Sequence, residues 1–148
     1  MTQPTSATGA TPTLAQGALA EVHDDSVVLA LLGTDYLLRL LVGQRPTTRI
    51  GQRIAGAIHA QARRVDIVGA GGRYIEPLVG RPHRVQGEVI AVDPHAQTIT
   101  VDAAVPIICR LQSGQRTDQF KPGDFVSFDV LPGARFTPTP TPAPTTAP

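Results

Sequence analysis

Short apolar runs alternate with turn-forming residues at roughly ten-residue spacing through most of the chain, the pattern of a small sandwich or barrel. The runs predict strands at residues 17–23, 27–32, 36–42, 53–59 and 63–68, and then at 84–92, 98–101, 105–111 and 125–130. Asp24-Asp25-Ser26, Gly33-Thr34-Asp35, Asp93-Pro94-His95-Ala96-Gln97 and Pro122-Gly123 punctuate them with the residues that favour turns. One run is ambiguous. Ile54, Ala57 and Ile58 also fit a helical spacing, and alanine favours helices.

A repeat resolves that ambiguity. Arg39-Leu40-Leu41-Val42-Gly43-Gln44-Arg45 returns as Arg110-Leu111-Gln112-Ser113-Gly114-Gln115-Arg116. The match widens: Gly17 to His23 aligns with Gly87 to Asp93, Val27 to Leu32 with Thr98 to Ala103, and Gly51 to Ile58 with Gly123 to Val130. Phe125-Val126-Ser127-Phe128-Asp129-Val130 alternates with period two and is rich in strand formers, so its partner at 53–59 is read as a strand as well. The pattern predicts an all-β chain of two tandem small β-barrels from an internal duplication, at residues 17–72 and 85–136. Units of ~50 residues are near the lower limit of independent stability, so the halves should lean on each other. Gly43 and Gly114 are each expected to supply a positive-φ turn residue.

The connector at 73–84 contains Ile75, Leu78 and Val79 between prolines, too apolar for a flexible linker, and reads as an ordered strap packed on both halves. The ends, 1–16 and 137–148, are expected to be disordered. The first lacks hydrophobic periodicity, and the second is Thr-Pro repeats whose prolines lack the N–H that a sheet ladder requires.

Residues 87–136, from Gly87-Glu88-Val89-Ile90-Ala91-Val92-Asp93 through Thr98-Ile99-Thr100-Val101 to Pro122-Gly123-Asp124-Phe125-Val126-Ser127-Phe128, resemble small OB-type β-barrels. The nearest likeness is to the compact barrel of bacterial copper and silver efflux carriers. The resemblance implies two OB-like barrels in tandem. It does not imply the carriers' metal chemistry, which uses Met, His and Trp. Met1 is the only methionine here and there is no Trp.

The repeated strands differ on one face. Ile99 and Val101 can point inwards, with Thr98, Thr100 and Asp102 in water. Val28 and Ala30 would be the inward counterparts, which leaves Val27, Leu29 and Leu31 as an apolar opposite face. A strand apolar on both sides is covered on both sides, so Val27, Leu29 and Leu31 are expected to form an interface with the other half or with a protein partner.

Composition adds limits. The chain of 148 residues is 41% hydrophobic but only 4% aromatic, so the core must rest on Val, Ile, Leu and Ala. A net charge of +1 gives no strong global pull towards nucleic acid or membrane. Cys109 is the only cysteine and lies in an apolar run, which reads as a buried small hydrophobe. No apolar run approaches the ~20 residues of a membrane span, and residues 1–16 lack a signal peptide's pattern, so a cytoplasmic location is expected.

Chemistry-bearing patterns are few. His23, His59, His83 and His95 lack ligand spacing, and no acidic pair is placed for acid–base work. Gly69-Ala70-Gly71-Gly72-Arg73 lacks the Lys-Ser/Thr of a phosphate loop and reads as a flexible turn. No catalytic, metal or cofactor site is expected, and the chain is not read as an enzyme. Charge placement is the stronger signal: from Arg39 to Arg84 there are nine Arg against Asp66 and Glu76. Arg45, Arg49, Arg53, Arg63, Arg64, Arg73, Arg81 and Arg84, with Tyr74 and Phe125 as stacking aromatics, are candidates for binding an anion or single-stranded nucleic acid. The leading expectation is a non-enzymatic binding or scaffolding module acting through protein contacts, and the alternative is binding of nucleic acid or another polyanion through the Arg-rich face.

Overall fold

The computed structural model describes residues 14–69 and 71–139. All eleven extended segments among them belong to one mixed sheet, and the only helical element is a single 3-10 turn at Thr117–Gln119. β1 (Ala15–Val22), β2 (Ser26–Leu31) and β3 (Leu37–Leu41) form an antiparallel meander, and β7 (Arg84–Asp93), β8 (Thr98–Asp102) and β9 (Pro106–Arg110) form a second. β4 (Arg53–Ile67) returns beside β1, and β10 (Phe125–Val130) returns beside β7. The remaining strands are β5 (Tyr74–Glu76), β6 (Val79–Gly80) and β11 (Arg135–Pro138).

The pairings run in two circuits that share β4. One passes β1, β2, β3, β11, β4 and back to β1; its β3–β11 step is parallel and rests on a single register pair, Arg135 with Leu41. The other passes β7, β8, β9, β4, β10 and back to β7, with a parallel β9–β4 step. The strands expected separately at 53–59 and 63–68 are therefore one strand of 15 residues. No turn residue interrupts it. Ile54, Gly56, Ile58, Ala60 and Ala62 alternate as buried positions, and a bulge opposite β10 then moves the buried position to Val65.

The two meanders agree in detail. A Cβ on Gly17 would collide with the Ala30 carbonyl oxygen, and one on Gly87 with that of Asp102. Both first strands bulge three residues later, between Leu19 and Glu21 and between Val89 and Ala91. Leu19 exchanges backbone hydrogen bonds with Gly51 and Gln52, as Val89 does with Gly123 and Asp124.

Several expectations are corrected. The buried face of β2 is the opposite one: Val27, Leu29 and Leu31 are core residues, 0%, 1% and 2% exposed, opposite the buried Leu19, Leu38 and Leu40. Val28 takes the other face and is itself 8% exposed. Three side chains enclosed in the chain's own core offer no surface to another subunit. Gly43 and Gly114 do not have positive φ; Gly51 and Gly123, at the following turns, do, at +93° and +100°. The N-terminal region expected to be disordered already contains Ala15 and Gln16 of β1, and the C-terminal one contributes Thr137 and Pro138 to β11. Pro138 is tolerated because alternate N–H groups face opposite ways along a strand: Thr139 donates to the Ala55 carbonyl, so the nitrogen of Pro138 points away from β4. The rest of both expected disordered ends, 1–13 and 140–148, and residue 70 of the expected glycine turn lie outside the described residues.

The connector is ordered and touches both meanders. β5 pairs antiparallel with β7 and β6 pairs parallel with β3. Ile75 is 2% exposed, whereas Leu78 and Val79 remain 49% and 61% exposed.

Candidate functional site: a basic cleft beside the connector

Strand alternation places the first cation. Leu38 and Leu40 are buried in β3, so Arg39 between them faces outwards. The bulge of β4 exposes Arg63, and the connector brings Arg81 and His83. The connector is pinned there by backbone bonds, His83 N–H to the Glu76 carbonyl at 2.7 Å and Val130 N–H to the His83 carbonyl at 2.8 Å. The link between β10 and β11 forms the far wall, held by a 3.0 Å bond from Leu41 N–H to the Ala134 carbonyl.

Together these elements enclose a cleft of about 790 Å³ lined by Arg39, Arg63, Arg81 and His83. Ser26 also lines it, 2% exposed, and its hydroxyl has no hydrogen-bond partner. The cleft contains two carboxylates. Asp129 is already engaged by Arg84 Nη1 at 2.8 Å, and that bond is the main cause raising the Arg84 pKa above its ordinary value. Asp25 is the other. Among the described residues no carboxylate lies within ion-pair distance of Arg39, Arg63 or Arg81. The remaining lining is apolar or small, including Leu40, Pro82, Leu131 and Pro132, with no aromatic ring.

The predicted cation set is thus divided. Arg63 and Arg81 line the cleft, and Arg84 is bound to its Asp129 wall. Arg45 pairs with Asp24 at 3.0 Å and Arg64 with Asp66 at 3.0 Å, both elsewhere. Arg73 is paired with Glu88 and lies over the Phe125 ring, 5.6 Å from its centroid, so both predicted partners of a base are already partners of each other. Tyr74 is half-buried, its hydroxyl 3.2 Å from Gln86 Oε1. Arg49 and Arg53 are exposed but do not line the cleft. Sequence reasoning counted Arg39 in the Arg-rich stretch and weighed His83 among the histidines without naming either as a candidate, and it did not single out Ser26. For Arg39 a signal existed, since an arginine alternating with leucines on a strand must point outwards.

Among the described residues no group of three His, Cys, Asp or Glu is placed to hold a metal ion, and no helix is long and apolar enough to cross a membrane. Burial pushes the Cys109 thiol up to about 12. A neutral thiol is a poor nucleophile, so Cys109 is expected to resist an aromatic disulfide reagent in the folded protein and to react fully after denaturation. Rapid stoichiometric labelling under native conditions would contradict this.

The chain matches no protein-family model, no curated protein and no solved structure.

Proposed function

We propose that the chain is a non-enzymatic binding module that holds an acidic segment of a partner protein in the basic cleft. The observation that carries this reading is the convergence of Arg39, Arg63 and Arg81, none of them ion-paired among the described residues, on one cleft where, among the same residues, the buried Ser26 hydroxyl has no hydrogen-bond partner. Guanidinium groups bind carboxylates through paired, charge-assisted hydrogen bonds. The exposed Leu78 and Val79 precede Arg81 in the chain and offer apolar contact beside the charges.

The scaffold of the proposal is a pair of OB-like units that arose by internal duplication and exchanged their fifth strands. In each unit a meander is joined by a fourth strand beside the first, the order of a Greek key, and a fifth strand completes the circuit. The second part of β4 serves the later unit and β11 serves the earlier one. The matched glycines, bulges and backbone bonds support the duplication.

Single-stranded nucleic acid is the weaker fit, because such sites stack bases on aromatic rings. Apart from the His83 imidazole the cleft lining has none, while Phe125 is covered by Arg73. Calorimetric titration with a glutamate-rich peptide and with an oligothymidine tests the choice. Arg39→Ala, Arg63→Ala and Arg81→Ala should each weaken peptide binding about tenfold, the scale of one charged hydrogen bond. Equal binding by the triple variant, or tighter binding of the oligonucleotide than of the peptide, would overturn the reading.

A further inference from the structure

The repeated Arg-Leu-x-x-Gly-Gln-Arg stretch places Arg110 in β9 where Arg39 stands in β3, and the offset that relates Gly51 to Gly123 also relates Arg63 in β4 to Arg135 in β11. Arg110 and Arg135 also share a cleft. It has a volume of about 950 Å³ and is lined in addition by His59, Gln61, Thr98 and Thr100. Each cleft thus holds one arginine from the third strand of a meander and one from β4 or β11, which pair with each other. Among the described residues neither Arg110 nor Arg135 has a carboxylate within ion-pair distance. Asp93, also in the lining, accepts bonds from the backbone N–H groups of His95 and Ala96 at 3.0 and 3.2 Å.

The two clefts adjoin. Leu41, Pro132 and Gly133 line both, so the link between β10 and β11 is the low wall dividing them. Its crest carries little bulk: Pro132 and Gly133 are exposed, and Gly133 has a φ of +107° that favours glycine. We propose that the two clefts act as one groove, and that its ligand is an extended acidic peptide segment that crosses the β10–β11 link and presents carboxylates to Arg39 and Arg63 on one side and to Arg110 and Arg135 on the other.

This inference rests on the acidic-peptide reading of the first cleft and adds a second anchoring point to it. Tethering makes the second contact intramolecular, so a peptide long enough to span should gain affinity that a short one cannot. His59 provides a local reporter. Burial first, and then the positive Arg135, hold its imidazole below the ordinary value, and a carboxylate arriving in the cleft should raise it.

The test is an NMR titration of the histidine ring protons, with His59→Gln and His83→Gln identifying the two signals. A glutamate peptide of about three residues and one of about ten are compared, since an extended chain gains roughly 3.3 Å per residue. The long peptide should shift both His83 and His59, raise the His59 midpoint, and bind at least about tenfold more tightly than the short one. Arg110→Ala with Arg135→Ala should abolish that gain and the His59 shift while leaving the thermal midpoint unchanged. If His83 shifts and His59 does not, the first cleft binds and the groove is refuted. If neither shifts, the acidic-peptide reading itself has failed. Tighter binding of an oligothymidine through both histidines would refute the peptide as the groove's occupant.

Discussion

Replacing Phe136 with alanine is expected to cost about 3–5 kcal/mol, the usual range for removing a buried phenylalanine. Phe136 is 1% exposed and stands opposite Ile58 on the strand that closes the first circuit. Its ring lies over Gly56, where an added Cβ would come within 2.6 Å of the ring's Cζ. The glycine and the phenylalanine therefore fit as one contact, with the ring filling space that a side chain would otherwise need. β3 meets β11 through a single register pair, so little else holds the seam if the ring is removed. Urea denaturation would measure the loss. Phe136→Leu should recover much of the stability, and a cost below about 1 kcal/mol for Phe136→Ala would mean that β11 does not seal the core.

The second large effect is expected at Gly87. A methyl group there would overlap the Asp102 carbonyl, which is backbone of the paired strand and cannot rotate away. Gly87→Ala should destabilise by about 3 kcal/mol, at the upper end of overpacking costs, and Gly17→Ala should act in the same direction through the Ala30 carbonyl. Gly43→Ala and Gly114→Ala provide the contrast. Both positions lack positive φ, and an added Cβ would meet nothing within 4 Å, so these changes should be neutral or slightly stabilising through the unfolded chain. Thermal unfolding of the four variants would compare them directly, and equal losses at all four would refute the distinction.

Much of the strand content was legible because period-two alternation and turn residues act locally. Phe125 to Val130 decided the reading of residues 53–59 for that reason. Choice of partner is not local. Nothing in residues 53–67 states that their first part pairs with β1 and their later part with β9 and β10, since alternation fixes a face and leaves the neighbour open. β2 shows a related failure: with Val27 to Leu31 apolar throughout, either parity satisfies the pattern, and only the opposing leucines select one. β11 was concealed by composition, because Pro138 and the prolines that follow it argued against a ladder and a single phenylalanine gives no period. At the candidate site, charge density drew attention to a stretch that includes Arg63 and Arg81, which line the cleft. It could not separate them from Arg45 and Arg73, whose carboxylate partners Asp24 and Glu88 are brought in by the fold, or from Arg64, which pairs with Asp66 two residues on in the same strand.

The position of β11 also bears on how the chain is made. Synthesis proceeds from the N-terminus, so β1 to β4 emerge long before the strand that closes their circuit. Until residues 135–138 leave the ribosome, the first meander has an open seam, and the later half of β4 awaits β9 and β10. An unpaired strand edge on a nascent chain is a point of contact for other chains. Both seams therefore remain open until residues 125–138 have been made, and the two closing strands then follow each other closely in the chain.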